Sequence, residues 1–254
     1  MNASELRKRV SELPALPDRH ERFTWLARRA SLRHKIATSD PAKFLQWPVC
    51  KEALFVGDPD CIMREYSELT ASSLWLRYAR AVLSPDFGSP DRGRLSPYDG
   101  TIVHQLYHLM QWESRSDKTV DELSTIVEFG AGYGTMAMLC RRLGFTGRYV
   151  TQDFPELMLL QEFYLTNVGI DDVECGGTPE DIDLFIALFS KSETELEYRT
   201  MLDASNYLIG YQPKWDGWDN EEYFDRFSKS KSDLVWFDYH SVHFGNHKYL
   251  IGLS

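Results

Sequence analysis

Long apolar runs and closely spaced cysteines are both missing from this sequence. No apolar segment approaches the roughly 20 residues that a membrane-spanning helix requires. The N-terminal segment MNASELRKRVSELP lacks the apolar stretch of a secretory signal peptide. Disulfide frameworks and zinc sites generally have closer cysteine spacing than this chain, whose cysteines are Cys50, Cys61, Cys140 and Cys175. We therefore expect reduced thiols and a soluble, cytoplasmic protein without a membrane span.

Positive charge is also scarce. The chain carries 28 Lys and Arg against 38 Asp and Glu, which gives a formal net charge of −10. This balance disfavours a polyanion-binding surface, so we predict no nucleic-acid partner. Residues 1–35 are locally basic, with nine Lys and Arg against four Asp and Glu. That basic segment is interpreted as a solvated helix face, or else as a contact for a phosphate-bearing substrate or a partner subunit.

Hydrophobic residues are plentiful by contrast. They make up 43% of the 254 residues, enough for one large domain or for a core with an appended lobe. A run rich in Gly, Pro, Asp and Ser at 84–93 marks the best boundary between the two. The helical signals before this run lie at Ser4-Glu5, through Trp25 to Leu32, at Asp40-Pro41 and from about Asp60 to Leu83.

After this boundary, short β-rich runs alternate with helical stretches. A helix is predicted over Thr101–Trp112. Strands separated by helices imply a parallel sheet with both faces covered, so we predict a doubly wound α/β core in residues 96–254 and a helical cap in residues 1–95. The predicted strands are Thr125–Phe129, Arg148–Asp153, Val173–Cys175, Leu184–Leu188, Tyr207–Tyr211, Leu234–Phe237 and Tyr249–Leu253.

A glycine-rich loop follows the first predicted strand and precedes a helical stretch. Glycines in such a turn let the backbone approach a ligand closely and aim helix N–H groups at it. A dinucleotide fingerprint would need G-x-G-x-x-G, but position 135 is Thr and the glycines fall as G-x-G-x-G. The residues assigned to cofactor binding here are Glu128, Gly130, Ala131, Gly132, Tyr133 and Gly134.

A second signal lies nineteen residues beyond the last of these glycines. Asp153 ends the second predicted strand. An acidic side chain at that position can accept hydrogen bonds from ribose hydroxyls. Phe154 follows directly and could face an adenine ring.

With these residues the chain resembles class I S-adenosylmethionine-dependent methyltransferases, which have a Rossmann-like fold. It resembles more narrowly the bacterial sugar O-methyltransferases. The narrower resemblance rests on the run Asp153–Leu165, on Asp183–Glu193, on Asp219-Asn220 before an aromatic helix, and on the closing run GNHKYLIG at 245–252. The resemblance implies S-adenosylmethionine as cofactor, with S-adenosylhomocysteine as product.

Methyl transfer to a hydroxyl benefits from a positioned general base, and His is the commonest choice. We rank His240 first and His243 second; both lie between the last two predicted strands. Glu193 is a third candidate, because it follows the fourth strand where ligands of open α/β sheets bind. His240 and His243 are equally well explained as hydrogen-bonded turn residues. Ser192-Glu193 is equally well explained as a helix cap. His104 and His108 would need a further ligand to bind a metal, and are interpreted as packing or surface residues.

Four residues are predicted to bind the acceptor. Tyr98 and Asp99 lie between cap and core, although a turn that caps the following helix explains them equally well. Trp215 and Trp218 lie among Asp, Asn and Gln, a composition that suits sugar recognition. Magnesium ligands in this loop would be Asp216 and Asp219, but we do not favour a metal.

The sequence thus predicts an O-methyltransferase that acts on the hydroxyl of a sugar or glycan precursor. Two alternatives stay open: a methyltransferase of a small natural-product phenol or amine, and a non-catalytic module that binds the cofactor. A homodimer through the helical cap is also compatible with the sequence.

Overall fold

The computed structural model describes residues 1–16, 23–54, 58–92, 96–196, 199–243, 245 and 247–254. Within these ranges no helix has the length and apolar character needed to cross a membrane. The end of the predicted cap at position 95 lies outside the described residues, as does position 246 of the closing run.

The N-terminal part of the chain is helical, as its capping residues predict. The side chain of Asn2 accepts a hydrogen bond from the Glu5 N–H at 2.9 Å and caps the first helix. Asp58 caps the fourth helix in the same way, with Pro59 in its first turn. The helices are α1 (Ala3–Ser11), α2 (Phe23–Thr38), α3 (Pro48–Leu54), α4 (Pro59–Ala71), α5 (Trp75–Tyr78) and α6 (Gly100–Glu113), with 3₁₀ turns at Pro41–Gln46 and Val120–Glu122.

The single helix predicted from about Asp60 to Leu83 is wrong. Helix α4 ends at Ala71 because Ser72 adopts an extended conformation (φ −70°, ψ 146°). The Ser72 hydroxyl then accepts a hydrogen bond from the Leu74 N–H at 3.1 Å. Serine side chains compete in this way with the helical backbone, so the chain turns and restarts as the short α5.

The C-terminal part forms a seven-stranded sheet in the order β3-β2-β1-β4-β5-β9-β8. Strands β1 to β5 are parallel, and β9 is antiparallel to both of its neighbours. The predicted Rossmann-like, doubly wound and mostly parallel sheet is therefore confirmed. The strands are β1 (Thr125–Phe129), β2 (Arg148–Gln152), β3 (Val173–Cys175), β4 (Leu184–Leu188), β5 (Asn206–Tyr211), β8 (Val235–His240) and β9 (Lys248–Leu253).

Two further elements shape the C-terminal half. A small hairpin of β6 (Lys214–Trp215) and β7 (Trp218–Asp219) was not predicted, since two-residue strands are too short to show a periodic pattern. The helices that alternate with the strands are α7 (Thr135–Arg142), α8 (Pro155–Asn167), α9 (Ser190–Glu193) and α10 (Asn220–Ser230).

Both faces of the central strands are buried, as the alternation along β1 shows. Ile126 belongs to one apolar cluster and Val127 to another. The first cluster also contains Leu6, Ile36 and Phe44, so the N-terminal helices share a continuous core with the sheet. The carboxyl ends of β1, β2, β4 and β5 meet at one edge, where open α/β sheets bind their ligands.

Candidate active site

The glycine loop between β1 and α7 has a backbone that other residues tolerate poorly. Gly130, Gly132 and Gly134 have φ values of 75°, 58° and 93°. A Cβ atom on Gly130 would lie 2.2 Å from the Cβ of Ser190, at the start of α9. The Gly130 N–H donates to the Gln152 carbonyl at 2.7 Å and ties the loop to β2. The loop is thus tightly fixed between the ends of β2 and β4.

Asp153 follows β2 and holds this loop through its carboxylate. It accepts hydrogen bonds from the Gly132 N–H at 3.0 Å, the Phe154 N–H at 2.8 Å and the Gln161 side chain at 3.2 Å. Burial raises the pKa of Asp153 to about 7, although the two N–H groups oppose this shift. An ionised carboxylate offers about four lone-pair positions, so three donors leave room for a ligand hydroxyl.

Glu128 is buried within β1, two positions before the loop. Its carboxyl group accepts a hydrogen bond from the Tyr149 hydroxyl at 2.8 Å. Burial raises its pKa to about 8, and the charge of Asp153 adds to the shift. Two titratable carboxyl groups with raised pKa values therefore accompany the glycine loop, a pattern that is frequent at functional sites.

The two remaining loop residues are largely buried. Ala131 is 7% exposed. The Tyr133 ring packs edge-on against Phe44 at 5.6 Å and Tyr164 at 5.0 Å, so this side chain contributes to the core.

Helix α2 lies across the residues that follow β2. The Arg29 guanidinium sits 4.4 Å from the centre of the Phe154 ring, and the Trp25 ring contacts the same ring at 5.7 Å. Arg29 and Arg33 both pair with the fully buried carboxylate of Glu156 at the start of α8. The N-terminal helices therefore help to form the crevice around the loop.

Glu193 lies at the end of α9, which follows β4. Its carboxylate accepts hydrogen bonds from the Trp25 indole N–H at 3.1 Å and from the Gln212 amide at 3.4 Å. Burial raises its pKa, while Trp25, the charge of Arg28 and Gln212 act in the opposite direction. The structure thus brings the predicted Glu193 to the carboxyl edge of the sheet.

The other two predicted bases lie elsewhere. His240 is exposed at the end of the edge strand β8, opposite Lys248. His243 is buried, and its Nε2 lies 2.8 Å from the Glu68 carboxylate on α4. The Tyr107 hydroxyl donates to the same carboxylate at 2.9 Å.

A chain of buried polar groups connects α4, α6 and β9. The Nδ1 atom of His104 lies 2.9 Å from Glu65, and the Nε2 atoms of His104 and His108 are 2.8 Å apart. The Tyr249 hydroxyl contacts Nδ1 of His108. A consistent set of protons has Tyr249 donating to His108, His108 to His104, and His104 to Glu65. His104 and His108 were interpreted as packing or surface residues. Because both are buried within this network, the structure favours packing.

The rings of His104 and His108 lie beside Phe189, the residue after β4, with ring centres 6.4 Å and 5.8 Å from that of Phe189. Phe189 has a left-handed backbone (φ 67°), which is uncommon for a bulky residue. Its ring packs against His247 at 4.7 Å. Burial and the charge of His104 lower the pKa of His247 to about 4. In the described part of the chain, no three His, Cys, Asp or Glu side chains are close enough together to hold a metal.

The predicted acceptor residues divide into two groups. Asp99 is buried and caps α6 by accepting from the Thr101 and Ile102 N–H groups, which is the capping explanation given for it above. Tyr98 packs against Tyr66 on α4 at 5.3 Å. Asp99 is thus engaged with the start of α6, and Tyr98 with α4.

Trp215 and Trp218 face each other across the β6–β7 hairpin. The buried Arg199 lies 5.6 Å from the centre of the Trp218 ring and donates to the carbonyls of Ser192 and Thr194, on either side of Glu193. Asp219 caps α10 through the Glu222 N–H at 3.0 Å. The tryptophan hairpin is therefore linked to the segment that carries Glu193.

Sequence reasoning missed three residues of this site, Trp25, Arg29 and Gln212. Trp25 and Arg29 lie more than 100 residues before Gly130, in a segment that was interpreted as a solvated helix face. Gln212 could have been found, because it directly follows β5 at the carboxyl edge.

No family model matches the chain, and no curated protein is significantly similar to it. Similar solved structures include magnesium protoporphyrin IX methyltransferase from Synechocystis PCC 6803 with bound SAM, at 10% identity over 79% of this chain and 100% of that chain, with a TM-score of 0.44. Ribosomal protein L11 methylase from Lactobacillus delbrueckii subsp. bulgaricus is 14% identical over 66% of this chain and 88% of that chain, with a TM-score of 0.40. TrmK of M. capricolum in complex with S-adenosylhomocysteine is 12% identical over 53% of this chain and 65% of that chain, also with a TM-score of 0.40.

Proposed function

We propose that this protein is an S-adenosylmethionine-dependent methyltransferase whose acceptor is a hydroxyl group of a sugar or glycan precursor. One observation carries the proposal. The glycine loop after β1 is so close to Ser190 that no Cβ fits at Gly130, and it is hydrogen-bonded to Asp153 at the end of the neighbouring strand. This combination provides a backbone cradle and a carboxylate for ribose hydroxyls at one edge of the sheet.

The residues at this edge fit that cofactor. Asp153 retains an acceptor position for a ribose hydroxyl, and Phe154 offers an aromatic ring beside it. A ligand that carries a sulfonium and an ammonium group would favour the ionised forms of Glu128 and Asp153, whose pKa values are raised by burial. When bound, the cofactor supplies an activated methyl group, and transfer leaves S-adenosylhomocysteine.

Glu193 is the best placed of the three candidate bases. Its carboxylate lies between segments that follow β2, β4 and β5, since it contacts Trp25 beside Phe154 and also Gln212. Glu193 would accept the proton that the acceptor hydroxyl loses when the methyl group leaves the cofactor sulfur for the acceptor oxygen. His240 is separated from β4 by two strands, and the imidazole of His243 is directed to Glu68.

The sugar acceptor is supported by the tryptophan hairpin. Gln212 leads from Glu193 into β6, and Arg199 connects Trp218 to the backbone around Glu193. Tryptophan rings stack on the apolar faces of sugars, while neighbouring polar groups contact their hydroxyls.

The experiment begins with isothermal titration of S-adenosylmethionine and S-adenosylhomocysteine into the purified protein. Micromolar binding is expected, and Asp153→Asn is expected to weaken it about 10- to 150-fold, because a hydrogen bond to a charged group contributes about 1.5–3 kcal/mol. Glu174→Gln is the matched control, since this exposed carboxylate on β3 pairs only with Arg148 in the described contacts. Absence of heat with both ligands would refute the proposal.

The acceptor is tested with cofactor carrying a labelled methyl group. Free sugars and nucleotide-linked sugars are incubated beside phenols and amines. The proposal is supported if the wild type labels a sugar hydroxyl and the Glu193→Gln variant does not. Label on the phenols or amines alone favours the small-molecule alternative, and binding without transfer to any class favours the non-catalytic module.

A further inference from the structure

Trp25 joins two segments that are far apart in the chain. Its indole N–H donates to Glu193, which follows β4, at 3.1 Å. Its ring contacts Phe154, which follows β2, with the ring centres 5.7 Å apart. Strands β2 and β4 lie on either side of β1, where the glycine loop begins. Trp25 therefore joins the segments that follow the two strands on either side of β1.

Helix α2 is held firmly in this position. Four residues beyond Trp25, Arg29 stacks on Phe154 and pairs with the buried Glu156. Leu54 of α3 lies 3.4 Å from the position of a Cβ on Gly132, so the neighbouring helix also reaches the loop. These contacts fix the indole relative to the residues assigned to the cofactor.

Few groups determine the charge state of Glu193. The carboxylate is partly buried, which disfavours its ionised form. Trp25 and Arg28 on α2 and Gln212 after β5 favour the ionised form. The Trp25 N–H is the shorter of the two described hydrogen bonds to this carboxylate.

We infer that Trp25 is a positioning residue for methyl transfer. Its N–H holds the Glu193 carboxylate towards the acceptor, and its contact with Phe154 links that carboxylate to the proposed cofactor site. The inference rests on the proposed function and extends it, because it assigns a role in the chemistry to a helix outside the sheet.

The first test measures the pKa of Glu193 from the carbon-13 chemical shift of its side-chain carboxyl group, identified with Glu193→Gln. Trp25→Phe keeps a ring beside Phe154 and removes the N–H. Because this N–H stabilises the ionised carboxylate, its loss is expected to raise the Glu193 pKa by about one unit. Once an acceptor is identified, turnover can be measured against pH. The pKa of the acid limb of that profile is expected to rise in Trp25→Phe by the same amount.

Trp236→Phe is the matched control. The Trp236 indole N–H donates to the Lys231 carbonyl at 3.0 Å beside β8, so this substitution removes a similar hydrogen bond away from the site. It is expected to leave the Glu193 pKa unchanged. A Glu193 pKa that is the same in Trp25→Phe as in the wild type overturns the inference.

The second test follows the indole N–H resonances while S-adenosylhomocysteine is added. The Trp25 resonance is identified by its loss in Trp25→Phe. A shift of this resonance, with the Trp236 resonance unmoved, supports the link to the crevice. If titration heat shows binding but the Trp25 resonance does not move, the link to the cofactor site is overturned. If no binding is detected, the proposed function itself is refuted.

Discussion

At the scale of single residues, Gly130 carries two separate constraints. Its backbone is left-handed, and Ser190 occupies the space where a side chain would begin. We expect Gly130→Ala to lower the free energy of unfolding by about 2–5 kcal/mol, because a left-handed alanine costs about 1–2 kcal/mol and overpacking adds about 1–3 kcal/mol. Urea denaturation measures this change.

Gly169→Ala separates the two constraints. Gly169 is also left-handed (φ 82°), but no atom lies within 4 Å of its hypothetical Cβ. Only the backbone cost of about 1–2 kcal/mol should remain there. Equal losses in the two variants would show that the contact with Ser190 does not matter.

The residues that we propose to bind the cofactor could be singled out from sequence because they form a local pattern. Glu128, the three glycines and Asp153 lie within one strand–loop–helix–strand unit, where spacing alone indicates their relation. Trp25 and Glu193 are separated by 168 residues, and no local period connects them. Their contact exists only because α2 packs on the sheet.

At the scale of elements, α2 is attached to α8 by one carboxylate. Glu156 is fully buried and pairs with Arg29 and Arg33. Burial alone would raise the pKa of Glu156, but the two arginines lower it below its usual value. Because unpairing a buried ion typically costs about 3–5 kcal/mol, Glu156→Gln is expected to destabilise the protein by roughly that amount, measured by urea denaturation.

Glu162 on the same helix is the matched control. It pairs with Arg9 of α1 at 2.7 Å, but both side chains are more than a third exposed. Solvent screens such a pair, so Glu162→Gln should cost about 1 kcal/mol or less. A similar loss in both variants would mean that Glu156 does not attach α2 more firmly than a surface pair does.

The helices and most strands could also be predicted, with errors at particular places. Ser4-Glu5 and Asp40-Pro41 indicated helix starts, and the structure has α1 and the 3₁₀ turn Pro41–Gln46 there. Ser72, in contrast, ends α4 through a side-chain hydrogen bond that the apolar pattern does not reveal. Periodicity likewise missed β6 and β7, whose pairing depends on the turn at Asp216-Gly217.

At the scale of the whole molecule, two groups of buried side chains give opposite pH dependences. The pKa of His108 is lowered well below 6.5 by burial and by His104 and His247, and that of His247 is lowered to about 4. Histidines of this kind remove stability as the pH falls below about 6.5, because the unfolded chain then takes up protons more readily. Glu128 and Asp153 have raised pKa values, so the unfolded chain loses these protons at a lower pH than the folded protein. The free energy of unfolding therefore falls as the pH rises.

Glu128 allows this second effect to be isolated. Its folded pKa of about 8 lies above the unfolded value near 4.5, so the folded state holds the proton more tightly. The cost of ionising it therefore grows as the pH rises from about 4.5 and levels off above about 8. Glutamine cannot ionise and still accepts the hydrogen bond from Tyr149.

We therefore expect Glu128→Gln to match the wild type at pH 4 and to exceed its free energy of unfolding by about 4 kcal/mol at pH 8 without ligand. Urea denaturation at a series of pH values measures the difference, with the exposed Glu174→Gln as a variant that shows no such gain. A gain in stability with loss of S-adenosylmethionine binding would mean that the fold tolerates an unfavourable carboxylate where the ligand requires one. A constant difference across the pH range would show that Glu128 titrates alike in the folded and unfolded chains.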